Sequence, residues 1–151
     1  MELTGDSKRL VEDLQKRGYV RLYDVFNKNY EAVALFGKIP DVLLGEWTWK
    51  IPDGESKQIW FPTFFKQGNW EQFLIDGGRI IIRRKLDGKP PAKNDQIVKG
   101  MVHVVFGRSR ERGSFEYVGE FKLVAGGNFG DLQVLKRIAT RTDLPSSKVD
   151  E

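Results

Sequence analysis

Apolar and polar positions along this chain change from a helical to a two-residue period within the first twenty residues. Leu10, Val11 and Leu14 share one face of a helix that Asp6 or Ser7 is placed to cap and Gly18 to end. From Tyr19 onward the side chains alternate, with Val20, Leu22, Asp24 and Phe26 on one side and Arg21, Tyr23 and Val25 on the other. Patterns of the same kind predict strands over 31–38, 46–51, 58–61, 79–86, 97–108 and 115–125. "NWEQFLIDGG", residues 69–78, has a cap residue and a glycine stop and predicts a short helix. "LQVLKRIA", 132–139, suits strand or helix, and its Val and Ile content favours strand.

The stretch "FGRSRERGSFEYVGEFKL", 106–123, sets three arginines in a glycine-bounded tip between two strands. Before it, Val98, Val102, Val104 and Phe106 form one face and Lys99, Met101 and His103 the other. After it, Phe115, Tyr117, Phe121 and Leu123 share a face, opposite Glu116, Val118, Glu120 and Lys122. The pair is a hairpin, and Gly119 marks a bulge or a sharp bend. About six sequentially connected strands with few helices predict a mostly β, α+β fold. The expected form is a small curled antiparallel barrel with an N-terminal helix and one or two short helices. At 151 residues one domain is expected, over 1–143, with 144–151 as a linker or tail.

Composition narrows the chemistry. No cysteine is present, which removes disulfides, thiolate zinc sites and cysteine nucleophiles. The sole histidine, His103, disfavours a histidine metal site or a serine triad and reads as polar surface on a rim-facing strand. With no long apolar run and a polar N-terminus, a soluble, cytoplasmic protein without a membrane partner is expected, and no cofactor. The net charge of +4 is unevenly spread: residues 79–112 hold ten Lys/Arg against three Asp/Glu. Such a concentration attracts polyanions.

Two cationic groups stand out. Arg108, Arg110 and Arg112 project from the hairpin tip, where planar guanidinium forks suit phosphates and guanine edges. Arg83, Arg84 and Lys85 end the strand "RIIIRRK", whose three isoleucines place the basic residues at the rim of the sheet. If this strand neighbours the 97–108 strand, the two groups and Lys99 line one track for a nucleic-acid backbone. Aromatic rings crowd residues 47–70. In a small barrel such rings belong to the core, yet any left exposed would stack on a base; Trp47, Trp49, Trp60 and Tyr117 are the candidates. "PD" at Pro40 and Asp41, followed by Glu55 and Lys57, also matches the spacing of PD-(D/E)xK nucleases, in which two carboxylates hold magnesium and a lysine assists water.

The runs "FLIDGGRIIIRR" and "GMVHVVFGRSRERGSFEYVGEFKLV" resemble the core of PUA-like barrels, the group that includes PUA, EVE, YTH and SRA domains. That resemblance implies a reader of RNA or of modified DNA bases that holds an extruded base in an aromatic cage. Within the group, the basic, cysteine-free chain looks similar to the N-terminal target-recognition domains of McrB-type restriction proteins, which implies a tethered GTP-hydrolysing AAA+ motor. The expected function is thus a non-catalytic nucleic-acid-binding module, with DNA favoured over RNA. A magnesium-dependent nuclease using Asp41, Glu55 and Lys57 and a protein-interaction domain are the alternatives.

Overall fold

The structure is a computed structural model. It describes residues 3–37, 47–50 (backbone), 57–65, 68–87, 100–110, 113–124 and 132–145. Helix α1, Gly5–Arg17, starts slightly before the expected cap, with Thr4 as its N-cap. It ends at Gly18, whose φ of 96° lets its N–H reach the Leu14 carbonyl at 2.9 Å. Strands β1 (Tyr19–Arg21) and β2 (Val25–Phe26) follow, then a second helix, α2, over Asn29–Ala34.

Helix α2 replaces the strand expected over 31–38. The run Ala32–Phe36 is buried on every side, so its spacing alone could not separate helix from strand. Glu31 decides the matter locally: its carboxylate accepts the N–H groups of Asn27 (2.9 Å) and Lys28 (3.1 Å) and the Ser7 hydroxyl. That fixes a helix start and ties it to α1.

The remaining strands are β3 (Trp47–Lys50), β4 (Lys57–Trp60), β5 (Trp70–Ile75), β6 (Ile80–Lys85), β7 (Val102–Gly107), β8 (Phe115–Leu123), β9 (Leu132–Ala139) and β10 (Arg141–Asp143). The short helix expected after Asn69 is instead β5. Asp76, Gly77 and Gly78, all at positive φ, turn it into an antiparallel hairpin with β6, so the "DGG" signal ended a strand rather than a helix. Residues 132–139 are a strand, as their β-branched content favoured.

The main sheet runs β3-β4-β7-β8-β9-β6-β5, with β2 added against β8, while β1 and β10 form a separate pair. Among the described strands nothing pairs β3 with β5, so the expected closure into a small barrel is not found and the sheet is open. All its pairings are antiparallel except β4 with β7, which run parallel. Strand β6 lies between β5 and β9, not beside β7 as expected.

Each face of the sheet carries its own core. On the convex side α1 and α2 cover Ile59, Phe61, Val104, Phe106, Phe115 and Tyr117. Phe106 anchors an aromatic cluster there, with Phe26, Phe61 and Tyr117 rings 5.3–5.8 Å away. On the concave side Trp60, Ile81, Val105, Val118, Phe121 and Leu135 pack together.

Strand β8 serves both cores through a bulge. Val105 pairs with Gly119 but Phe106 with Tyr117, leaving Val118 as the extra residue. Phe115 and Tyr117 therefore face the helices while Phe121 faces the concave side, splitting the single face that strict alternation predicts. Gly119 sits at φ 124°, and a Cβ there would lie 2.5 Å from Arg137 Cδ and 2.7 Å from the Ala139 carbonyl oxygen. Gly119→Ala is expected to cost about 1–3 kcal/mol through forced strain at a defined backbone position. Gly18→Ala, where a Cβ meets nothing within 4 Å, should cost only the roughly 1–2 kcal/mol of a left-handed residue. Urea denaturation of the two variants tests that order.

Candidate nucleic-acid interface

The concave side holds a cluster of polar side chains inside an otherwise apolar core. Alternation along β6 turns Ile81 and Arg83 inward and Ile82 and Arg84 outward. The register sets Arg83 between Gln72 of β5 and Gln133 of β9. Arg83 is 0% exposed. Its Nε donates to Gln72 Oε1 and its Nη1 to Gln133 Oε1, both at 3.0 Å. Gln72 Nε2 in turn donates to the Thr63 carbonyl at 3.0 Å. The guanidinium carbon lies 3.6 Å from the centroid of the Trp70 ring and 5.8 Å from that of Trp60.

Beside this clasp, His103 on β7 is buried, edge to face with Trp60 at 5.9 Å. Burial, and secondly the charge of Arg83, hold its pKa down at about 4, so the imidazole is neutral at pH 7 and offers one donor and one acceptor. A guanidinium, two carboxamides and a neutral imidazole thus pack together with indole rings on the face away from the helices. Folding does not require this: apolar residues of similar volume would pack the same space without desolvating a cation. Buried polar groups of this kind are candidates for recognition.

Several sequence-level assignments move accordingly. Arg83 was placed at the rim but lies in the core, because β6 has neighbours on both sides at that level. His103, placed on polar surface, is interior for the same reason on β7. Trp60 and Tyr117, named together as base-stacking rings, are both fully buried and on opposite faces of the sheet, separated by the β8 bulge. The Tyr117 hydroxyl bonds Thr142 Oγ1 at 2.6 Å, and burial raises its pKa far above the usual range. Thr142 donates to Glu120 at 2.7 Å, and Lys57 reaches the same carboxylate at 3.3 Å. Lys57 is therefore held in a convex-side network. Its nuclease partners Asp41 and Glu55 lie outside the described residues, as do Lys99, Arg112 and the side chains of Trp47 and Trp49. The backbone register makes Trp47 the partner of Trp60.

Of the phosphate candidates, Arg84 is exposed and pairs with Glu71 at 2.6 Å. Arg110 stands exposed at the hairpin tip, whereas Arg108 lies over the Phe115 ring at 4.8 Å. A short chain of contacts joins the two cationic groups: Arg108, at the base of the tip, bridges Thr63, whose carbonyl accepts Gln72 Nε2, while Gln72 Oε1 accepts Arg83 Nε. Sequence reasoning passed over Trp70, Gln72 and Gln133. Their signal was an inward-facing Trp or Gln at alternate positions of "WEQFLI" and "LQVL", legible only once β5 is known to be a strand.

The profile of the SET and RING associated (SRA) domain matches residues 13–144. The chain belongs to the SRA family. The PUA-like resemblance of the sequence is thereby borne out, and the chain is an SRA-type DNA-binding domain. A solved structure described as the 5-hydroxymethylcytosine-specific restriction enzyme AbaSI superposes on 95% of this chain with a TM-score of 0.71 at 17% identity. The SRA chain covers 48% of that enzyme chain, about half its length. No curated protein matches it.

Two outcomes are expected of the SRA polar cluster. A histidine whose folded pKa lies below its unfolded value stabilises the fold above pH 6.5 and loses that contribution as pH falls toward 4. The loss is on the order of 3 kcal/mol, and His103→Gln should flatten this slope in urea denaturation run from pH 4 to 7. The triple variant Gln72→Leu/Arg83→Met/Gln133→Leu should fold with a loss of no more than about 1–3 kcal/mol, because the cation and both carboxamides leave together and the Thr63 carbonyl is the acceptor that loses its donor. Circular dichroism melting checks it, and its DNA binding should fall.

Proposed function

We propose that this SRA domain is a non-catalytic reader of modified cytosine in DNA, the target-recognition part of a restriction system, and that the concave polar cluster is its base-recognition site. One observation carries this: a buried Arg83 held by Gln72 and Gln133, with neutral His103 beside it, inside an SRA fold. The Watson–Crick edge of cytosine presents an N4 donor and the N3 and O2 acceptors. Carboxamide oxygens suit the donor, and guanidinium or imidazole N–H groups suit the acceptors. Trp60 and Trp70 supply apolar walls, and Trp47, the register partner of Trp60, lies on the adjoining strand. An extruded base costs a few kcal/mol to unstack, which stacking and edge contacts of this kind offset.

The AbaSI likeness supports the restriction setting, since that enzyme is specific for 5-hydroxymethylcytosine. The reader would deliver an effector to marked DNA, whether a nuclease or the GTP-hydrolysing AAA+ motor that the McrB-type resemblance implies. Exposed Arg84 and Arg110 would supply phosphate contacts, together with Lys99 and Arg112 as the sequence suggests.

Fluorescence anisotropy on matched duplexes carrying cytosine, 5-methylcytosine or 5-hydroxymethylcytosine tests the proposal. One modified duplex should bind at least ten-fold more tightly than the plain one, with or without a chelator. Affinity should fall roughly 40-fold between 50 and 200 mM salt if three phosphates are engaged. Equal affinity for all three duplexes would remove the base-reading role. In the Gln72→Leu/Arg83→Met/Gln133→Leu protein the preference should vanish while weak, salt-sensitive binding remains.

A further inference from the structure

The edge formed by β1 and β10 carries features that folding alone does not call for. Between β1 and β2 the chain turns at Arg21–Asp24, closed by the Asp24 N–H on the Arg21 carbonyl at 3.1 Å. Tyr23 occupies the third position with φ 78°, the place in a type II turn that glycine normally fills. Its ring is 80% exposed. A bulky residue is thus held in a disfavoured conformation with almost no burial in return.

A second departure from stability lies beside it. Arg21 on β1 and Arg141 on β10 are register partners, so two cations stand directly across an antiparallel pair, an arrangement that destabilises a sheet. Arg141 lies over the Tyr19 ring at 4.1 Å and bonds Asp143 on one side, and Asp24 is occupied by Arg17 and the Arg21 N–H. Among the described residues the guanidinium of Arg21 meets no carboxylate. Arg21, Tyr23 and Arg141 line one open groove of about 640 Å³. Tyr23 also borders a hollow of about 280 Å³ reaching Arg137, and Val25, two residues on, borders another that contains Arg110.

Resting on the DNA-binding reading, we propose that this end is a second DNA contact surface, separate from the concave base site. Arg21 and Arg141 share a backbone phosphate, the Tyr23 ring packs on the adjoining sugar or base, and Arg110 of the hairpin tip continues the track. A phosphate between Arg21 and Arg141 turns their repulsion into attraction, and a ring presented rigidly loses little freedom on contact. Arg110 thus joins this surface through the hollow that it shares with Val25.

The test exploits the opposite directions expected for folding and binding. Tyr23→Gly should raise the melting temperature, because glycine accepts the turn conformation, yet weaken binding of a 24-base-pair duplex about ten-fold. The loss should be equal for modified and unmodified cytosine, leaving selectivity unchanged, and Tyr23→Phe should retain wild-type affinity. Arg21→Ala/Arg141→Ala should lower the slope of log affinity against log salt by about one. If the wild type binds duplex and these variants match it in affinity and slope, the second surface is overturned and the base site stands. A Tyr23→Gly protein that loses stability and affinity together overturns it as well, since the residue is then structural. A wild type that binds no duplex even at low salt removes both proposals.

Discussion

One extra residue in β8 organises this protein. Without the bulge at Val118 and Gly119, every second side chain from Phe115 to Leu123 would point to a single side, and only one core could form on that strand. The bulge reverses the parity halfway along, so the Phe115–Tyr117 half packs beneath the helices and Phe121 packs in the concave hollow. The reversal also turns Glu120 toward Tyr117, Thr142 and Lys57, where a hydrogen-bonded chain ties β10 and β4 to the convex core. Only glycine fits, because Arg137 and the Ala139 carbonyl occupy the space of a side chain.

With the convex core carrying the helices, the concave side is free to hold groups that a folding core avoids. Arg83, Gln72, Gln133 and His103 desolvate a cation and three polar side chains within one hollow. Their mutual hydrogen bonds and the Trp70 stack offset that cost without making the cluster the cheapest filling for the space. As the proposed base site, the cluster would present donors and acceptors already oriented by one another, so that binding spends little on ordering them. The same logic applies in milder form at the β1–β10 edge, where Tyr23 and the Arg21–Arg141 pair are held in arrangements that a purely structural surface would relax. Recognition chemistry and stability pull in different directions at both places, as is common in functional sites.

Much of the architecture was legible from side-chain order. Helix α1 with its glycine stop, the β7–β8 hairpin and its arginine tip, the irregularity at Gly119 and the C-terminal strand all follow from short-range rules of period and turn chemistry. The misreadings share one cause. Residues 31–38 and 69–78 have caps, stops and apolar content compatible with either helix or strand, and the choice rests on partners distant in sequence. Glu31 needed Ser7, and Trp70–Ile75 needed the β6 edge. Locating Arg83 failed likewise, since whether a basic residue at the end of an isoleucine run emerges or is enclosed depends on which strands flank it.

Side-chain order and composition are enough to specify a β-rich chain with an uneven positive charge and no cysteine chemistry, and the motifs point to the PUA-like group to which SRA domains belong. These are properties of composition and local spacing, which survive without knowledge of any distant contact. Tertiary structure alone decided which side chains meet. Strand order put β9, not β7, beside β6, drew Arg83, Gln72 and Gln133 to one level, and set Arg108 of the arginine tip beside Thr63. Pairing between strands fifty residues apart is fixed by packing of the whole sheet, and no local pattern encodes it.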